Sequence, residues 1–261
     1  MFGKSEDRED YQRIDRPVGG MARDLPDHFF IDTHCHRRGQ LIYAYAGSIR
    51  VTTSTGSWVV PPQRAVWVAA GVLHSMLALG PTELRTLYFE PERCPLSSTE
   101  CCVISVTPLL RELILAVVMM PVEYDKHGRD GNVVELLYLE IKPMSSVPLH
   151  LPIPTEPRLA RICRWILANP ADERSILCWS QIVGASERTI VRLFIAKTGM
   201  TFTRWRQQAR LMLAVELLSR DRPITEIAIT LGYDSPSAFS AMFRKALGSS
   251  PTDYFRDSKP S

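Results

Sequence analysis

The sequence lacks any apolar run long enough to cross a membrane. Its most apolar stretch, Leu109–Met120, is interrupted by Arg111 and Glu112 and is shorter than the roughly 20 residues that span a bilayer as a helix. The first 24 residues are charged and contain no apolar core of the kind that a secretory signal requires. These absences predict a protein that has no membrane segment and works in the cytoplasm.

Paired cysteines are also missing. The six cysteines have neither the CxxC spacing of zinc and redox motifs nor the density of a disulfide scaffold; they are Cys35, Cys94, Cys101, Cys102, Cys163 and Cys178. A reducing compartment therefore suits the chain, in agreement with a cytoplasmic location.

Neither positive nor negative charge is in large excess, because the net charge is +3 in 261 residues. Its distribution is uneven, however. Residues 155–257 contain 15 Lys and Arg against 10 Asp and Glu, whereas residues 1–154 contain 15 against 18. The length allows two modest domains, each with its own core. We expect the C-terminal domain, which is the positive one, to be the part that meets phosphate.

The N-terminal region predicts a tail followed by a small β-barrel. Residues 1–24 are rich in charge and indicate a solvated, disordered tail. Residues 25–105 contain short runs of Val, Ile, Tyr, Trp and Thr that are broken by glycine and proline. Many short strands at such close spacing are typical of a small barrel or sandwich.

The hydrophobic period then changes to that of a helix. Two sets of four apolar residues follow the spacing i, i+3, i+4, i+7: Leu110, Leu113, Ile114 and Val117, then Val134, Leu137, Tyr138 and Ile141. We therefore predict two amphipathic helices within residues 106–142, which either pack on the barrel or meet a second subunit.

Five prolines within residues 143–157 indicate an extended linker. The pattern of residues 158–257 beyond it is helical. The predicted fold class is therefore α+β, with a β-barrel and two helices followed by an all-α domain.

The all-α domain contains an internal repeat with an offset of 49 residues. Matching positions share residue type or hydrophobic character and include the pairs Ser186 and Ser235, Ile190 and Phe239, Phe194 and Phe243, and Gly199 and Gly248, with Gly184 and Gly232 matching after a slip of one residue. Each copy has a short helix, a turn with a glycine, a serine that can cap the next helix, and a second helix. This is the plan of a helix-turn-helix unit, whose second helix enters the major groove of DNA.

The second helix of the first copy, which begins at Glu187, carries two arginines on one stripe. Arg188 and Arg192 are four residues apart and point away from Ile190 and Phe194. An arginine in this place can bind the edge of a guanine with two hydrogen bonds. The alternative is an exposed basic face that makes no base contacts.

The second copy has different side chains in the same places. Ser237 and Ala241 replace the two arginines, so they can touch a thymine methyl but cannot bind guanine as arginine does. Arg244 and Lys245 are better suited to holding phosphates. The predicted DNA-binding residues of both copies are Ser186, Glu187, Arg188, Thr189, Arg192, Ser235, Ser237, Ala241, Arg244 and Lys245.

Residues 158–256 resemble the AraC family of bacterial transcription regulators. The segments SERTIVRLF, TGMTFTRWRQQARL and ITEIAITLGYDSPSAFSAMFRKALGSSP carry the resemblance. It implies seven helices, a long helix over roughly residues 202–219 that joins the two units, and binding to adjacent major grooves. It also implies a homodimer that contacts RNA polymerase and activates transcription. One departure is Ala241, where some members carry a basic residue that contacts a base.

The stretch HCHRRGQLIYAYAG, residues 34–47, resembles the first cupin motif, with Gln40 in place of the motif's glutamate. Gly71 and His74 resemble the end of the second cupin motif. Cupins are small β-barrels, and members of the AraC family often use one to sense an effector.

The residue types indicate two kinds of site. His34 and His36 share one face of a strand, and Gln40 and His74 can complete a set of three imidazoles and one amide oxygen. Such a set suits Zn, Ni, Co or Fe, although an amide is a poorer ligand than a carboxylate. The alternative is a metal-free polar pocket for an organic effector, so that no cofactor is certain.

Taken with the DNA-binding repeat, these patterns predict a transcription regulator that responds to an effector, binds a double-stranded DNA operator and has no enzyme activity. A metal-dependent cupin enzyme is the rival interpretation, but Gln40 weakens its metal set and the repeat would remain unexplained. A constitutive DNA-binding protein with a vestigial barrel is the third.

Overall fold

The computed structural model describes residues 5–96, 101–143 and 149–255. Parts of the predicted barrel (97–100), linker (144–148) and C-terminal domain (256–257) lie outside these ranges. The described residues fall into two compact units. The first comprises residues up to 53 together with 60–143, and the second comprises 54–59 together with 149–255.

Antiparallel strands form most of the first unit. The strands among the described residues are β1 Val18–Leu25, β2 Phe30–His34, β3 Gly39–Ala46, β4 Ile49–Thr53, β5 Gly56–Val60, β6 Arg64–Val68, β7 His74–Ala78, β8 Thr82–Phe89, β9 Cys102–Ser105 and β10 His150–Pro152. One sheet has the order β1-β8-β3-β6-β9, and in it Gln40 pairs with Tyr88. In a second sheet β7 lies between β2 and β4, and His74 pairs with His34.

Two helices, α1 Pro108–Met119 and α2 Arg129–Glu140, pack against the first sheet. The predicted stripe of α1 is buried throughout, and Val134 and Leu137 of the second stripe are buried on α2. Tyr138 is partly buried against the same core, and Ile141 is buried just beyond the end of α2. The approach of α1 is close, because a Cβ on Gly20 of β1 would lie 2.8 Å from the Cα of Val118. Both helices are therefore confirmed. Their role in a dimer stays a prediction.

The prediction of a disordered tail over residues 1–24 is wrong for most of its length, and its first four residues lie outside the described ranges. Arg8–Tyr11 form a short 3-10 helix, and β1 pairs with β8 along all eight of its residues. The connecting segment is anchored by buried Arg38, whose guanidinium donates to the carbonyls of Ile14 and Arg16 at 2.7 and 2.8 Å. Long-range contacts of this kind order a stretch whose charge suggests disorder.

The predicted linker over residues 143–157 also contains regular structure. Within the second unit, β10 pairs antiparallel with β5, and the ring of His150 stacks on Trp58. The indole of Trp205 donates to the carbonyl of Pro152 at 2.8 Å. Prolines are compatible with this strand because it lies at the edge of its sheet, where a missing N–H costs little.

The rest of the second unit is helical. The described residues 157–255 form six helices rather than seven: α3 Pro157–Ala168, α4 Ile176–Ile182, α5 Glu187–Thr198, α6 Phe202–Ser219, α7 Ile224–Thr230 and α8 Pro236–Leu247. Residues 251–255 form turns instead. The two sheets and the helical domain confirm the α+β class. No helix among the described residues is long and apolar enough to cross a membrane.

Candidate functional site

The first helix-turn-helix unit consists of α4 and α5. Gly184 adopts a φ of +66° in the turn between them, a conformation that glycine takes without strain. Ser186 then caps α5, because its hydroxyl oxygen accepts a hydrogen bond from the backbone N–H of Thr189 at 3.2 Å. Ile190 and Phe194 are completely buried and fix which face of α5 points outward.

The outward face of α5 is formed by Glu187, Arg188 and Arg192, all exposed. Neither guanidinium has an ion-pair or hydrogen-bond partner within the described part of the chain. The side chain of Thr189 is half-buried, and its hydroxyl lies 2.8 Å from that of Ser186. The two arginines are therefore available for a partner outside the protein, whereas Ser186 and Thr189 also stabilise the N-terminus of α5.

The second unit, α7 and α8, repeats this arrangement with other surface residues. Gly232 has a φ of +76° in the turn, and the hydroxyl oxygen of Ser235 accepts from the N–H of Ala238 at 3.1 Å. Ser237 and Ala241 are exposed along α8. A shallow depression lies on the surface of this part of the helix and is lined by Pro236, Ser237, Ser240, Ala241 and Arg244.

Arg244 and Lys245 lie in the last turn of α8 and are exposed. Positive side chains there also interact favourably with the carbonyl end of the helix. Every DNA-binding residue that the sequence predicted thus lies on or just before α5 or α8.

The structure brings the four predicted pocket residues together in the first unit. His34 ends β2, His74 begins the neighbouring β7, His36 follows two residues after His34, and Gln40 lies in β3. The imidazole nitrogens that each histidine can offer to one ion lie within 4.8 Å of one another. The side-chain oxygen of Gln40 lies 3.0 Å from Nε2 of His74.

Burial keeps these imidazoles uncharged. It lowers the pKa of His36 to about 3 and that of His74 to about 4, and it also lowers the pKa of His34. Nδ1 of His34 lies 2.6 Å from the carbonyl of Asp32, and Nδ1 of His74 lies 3.0 Å from that of Val72. Nε2 of His34 and both ring nitrogens of His36 are buried without a hydrogen-bond partner.

The amide of Gln40 is held by two side chains of β8. Its NH₂ group donates to the hydroxyl oxygens of Thr86 at 3.0 Å and Tyr88 at 3.4 Å. The hydroxyl of Thr86 itself donates to the carbonyl of Leu41, so it must accept from Gln40. This arrangement directs the side-chain oxygen of Gln40 toward His74.

A cavity of about 340 Å³ opens beside His34 and Gln40. Its walls mix charged and apolar side chains: Glu6, Asp7, Arg8, Glu9, Met21, Arg23, Ile31, His34, Gln40, Met76, Leu84 and Tyr88. Most of them were not predictable from the sequence, because they lie on separate strands and in the N-terminal segment and share no motif. Thr86 and Tyr88 lie two residues apart on β8, so the period of two places both side chains on the sheet face that carries Gln40.

Comparison with known proteins matches both units. The helix-turn-helix domain model of a protein family matches residues 179–257, and an AraC-like ligand binding domain matches residues 18–140. The HTH-type transcriptional regulator NimR of Escherichia coli (strain K12) is 35% identical over 221 residues, which are 85% of this chain and 81% of that protein. The arabinose operon regulatory protein of the same strain is 30% identical over 132 residues, covering 49% and 45%.

Among solved structures, the DNA-binding domain of AdpA in complex with a target DNA is 31% identical. It covers 38% of this chain and 91% of that one, with a TM-score of 0.36.

Paired helix-turn-helix units behind a ligand-binding domain define a DNA-binding transcription regulator. The chain belongs to the AraC family of such regulators.

Proposed function

We propose that this regulator activates transcription when a small molecule binds the cavity beside His34 and Gln40. The observation that carries the DNA-reading part is the outward face of α5, where Arg188 and Arg192 are exposed and unpaired among the described residues. On a capped helix they are positioned to read base edges in one major groove. Arg244 and Lys245 of α8 hold phosphates of the adjacent groove.

The cavity supports the sensing part. It is large enough for a small organic molecule, and buried polar atoms lie at its edge, including Nε2 of His34. A ligand with hydrogen-bond donors would satisfy such atoms. To change DNA binding or contact with RNA polymerase, the ligand must bind one state of the protein more tightly than the other.

We also propose that a second copy of the chain covers the exposed side of α2. Leu136 and Leu139 of this helix are 40% and 69% exposed and lie three residues apart, so they share a face. Sedimentation of full-length protein tests this. We expect Leu139→Glu to shift a dimer to a monomer, whereas Leu109→Glu, at an exposed position of α1, leaves the dimer unchanged. A wild-type monomer would overturn the proposal.

The central experiment is selection of binding sites from random double-stranded DNA with full-length protein. We expect enrichment of a sequence with two contacted segments about one helical turn, roughly 10 base pairs, apart. In transcription with purified bacterial RNA polymerase, such a site upstream of a promoter should raise transcript level. Failure to enrich any sequence overturns the reading role, and a fall in transcript overturns activation.

The sensing part is tested by a thermal-shift screen of small metabolites. A compound that stabilises wild type but not His34→Ala, and changes affinity for the selected DNA, supports the proposal. DNA binding that responds to no stabilising compound identifies a constitutive DNA-binding protein instead.

A further inference from the structure

Two arginines of α6 hold the loop between α3 and α4, residues 169–174. Nε of Arg210 donates a hydrogen bond to the carbonyl of Pro170 at 2.7 Å. Nη1 of Arg206, one turn earlier on α6, donates to the carbonyl of Arg174 at 3.0 Å. Hydrogen bonds from a charged donor are stronger than neutral ones. The loop is therefore attached to α6 near both of its ends.

The same loop is joined to the first helix-turn-helix unit. The carboxylate of Asp172 accepts hydrogen bonds from the indole N–H of Trp165 on α3 at 2.8 Å and from the backbone N–H of Arg174 at 2.9 Å. The guanidinium of Arg174 lies over the ring of Trp165 and over the buried ring of Trp179 on α4, 4.9 and 5.2 Å from their centroids. These contacts fix the loop to the helices that carry the first unit.

The loop also meets the turn of the second helix-turn-helix unit. A Cβ added to Gly232 would lie 2.9 Å from the Cα of Ala171, so the two backbones are in close contact. The guanidinium of Arg210 lies 5.8 Å from the ring centroid of Tyr233, the residue after that glycine, which is within the range of a cation–π contact. The ring of Tyr233 in turn contacts buried Phe239 of α8. Arg210 thus contacts the loop of the first unit and the turn of the second.

We propose that Arg210 is a positioning residue that holds the two helix-turn-helix units at a fixed relative orientation, and that this orientation sets the spacing of the DNA segments that the protein accepts. We call residues 169–174 together with Arg206 and Arg210 the brace. Every contact described above lies within the second compact unit. The inference rests on the proposed function, in which both units bind one DNA molecule.

The brace is a second connection between the two units. The first is α6 itself, a single helix that contacts α5 on one side and α7 on the other. Long helices bend gently, so one helix leaves the bodies at its ends free to tilt relative to each other. A second connection away from the helix axis restricts that tilt.

A restricted tilt changes how DNA is bound. Once one unit is bound, the other meets its DNA segment as an intramolecular partner, at an effective concentration that is highest where the geometry matches. Two rigidly held units therefore bind one spacing tightly and discriminate against others. Two loosely held units accept several spacings and bind the best one less tightly.

Affinity for DNA of altered spacing tests the proposal. The DNA that full-length wild type selects is compared with a copy that has one base pair inserted between the two contacted segments, which turns one segment by roughly 35° relative to the other. The ratio of the two affinities is the spacing selectivity. Arg210→Met keeps the length of the side chain but removes its N–H groups, and it should lower this selectivity by about 2–30-fold, the range for residues that couple two sites. Affinity for DNA that keeps only one segment should remain nearly that of wild type, and Arg210→Lys should restore part of the selectivity.

Arg164→Met is the matched control, because Arg164 is exposed and donates to the carbonyl of Ala160 in its own helix. It should leave spacing selectivity unchanged. Thermal melting confirms that each variant is folded, and Arg206→Met tests the other end of the brace if Arg210→Met fails to fold. Wild-type selectivity in the folded brace variant overturns the proposal. An equal loss of affinity for DNA with only one segment also overturns it, because the role of the arginine would then be structural.

A measurement without DNA separates this inference from the proposed function. Unnatural residues that carry spin labels replace Lys197 of α5 and Ala246 of α8, which are both exposed, and electron spin resonance gives the distribution of distances between them. We expect a narrow distribution in the labelled chain and a broader one after Arg210→Met. Equal widths overturn the brace even in a protein that reads DNA as proposed. A broader distribution in the variant of a protein that enriches no DNA sequence overturns the proposed function and leaves the brace standing.

Discussion

The two helix-turn-helix units share an interior but differ at the surface. In both, the second helix begins after a serine cap and ends at a glycine with positive φ, Gly199 or Gly248. Phe194 of α5 and Phe243 of α8 occupy matching positions and are completely buried. Packing and capping therefore fix the shape of each unit.

The exposed stripes show what is free to vary. The places that hold Arg188 and Arg192 on α5 hold Ser237 and Ala241 on α8, and all four residues are exposed. None of them contributes to a core, so their replacement leaves the fold intact. Two units with one shape can therefore carry different shares of base recognition.

The turn glycines differ in a less visible way. Both have positive φ, so a side chain at either is strained. At Gly184, however, an added Cβ would meet nothing within 4 Å, whereas at Gly232 it would lie 2.9 Å from the Cα of Ala171. The second unit thus needs its glycine for close packing as well as for backbone conformation.

The largest expected effect follows from this difference. Gly184→Ala should lower the free energy of unfolding by about 1–2 kcal/mol, the cost of left-handed backbone for an L-residue. Gly232→Ala adds an overpacking cost of about 1–3 kcal/mol. Urea unfolding of full-length protein measures both. Equal losses of unfolding free energy would mean that the backbone at Ala171 shifts to make room for the new methyl group. The contrast between the two turns would then disappear.

The second effect concerns base recognition. A good bidentate contact discriminates between bases by about 1–3 kcal/mol. Arg192→Ala should therefore weaken binding to the selected DNA and relax base preference at one or two positions. Ser237→Ala on α8 is the control and should change the preferred sequence less. If Ser237→Ala relaxes the preference as much as Arg192→Ala, the two helices share recognition equally.

The helices of this domain were predictable because their information is local. A cap, a turn glycine and a 3.6-residue period lie within a few residues of each other around α5 and α8. The strand β1 was missed for the opposite reason. It contains Gly19 and Gly20, which disfavour strands in isolation, and it is ordered by pairing with β8, whose partners lie 57–71 residues later in the chain.

The pocket was half predictable on the same grounds. His34, His36 and Gln40 are close in the sequence and form one short motif, but β2 ends at His34, so His36 does not share a strand face with it as predicted. Arg23 and Tyr88 also reach the cavity, but only the folded sheets bring these distant residues together. Likewise, the prolines around β10 mask its strand pattern, and its place beside β5 depends on distant partners such as Trp205.

The third effect tests the feature that the units share. Ser186→Ala and Ser235→Ala each remove the oxygen that accepts a backbone N–H in the first turn of a helix. Each should cost about 1 kcal/mol of stability, as measured by thermal unfolding. Ser186→Asp and Ser235→Asp serve as controls, because aspartate also caps and should preserve stability. A large loss in one unit only would show that the caps are unequal, contrary to their geometry.

The smallest effect separates residues that read bases from residues that hold phosphates. Lys245 is exposed in the last turn of α8, and a phosphate contact releases counterions whatever the base sequence. Lys245→Ala should therefore lower affinity similarly on all sequences and flatten the plot of log affinity against log salt by about one unit. Arg192→Ala should instead change the preferred sequence, with a smaller change in slope. Filter binding between about 50 and 200 mM salt, together with site selection for each variant, measures both quantities. The assignment is wrong if Lys245→Ala alters the preferred sequence while Arg192→Ala leaves it intact, since the reading residue would then lie on α8 and the asymmetry between the two units would be reversed.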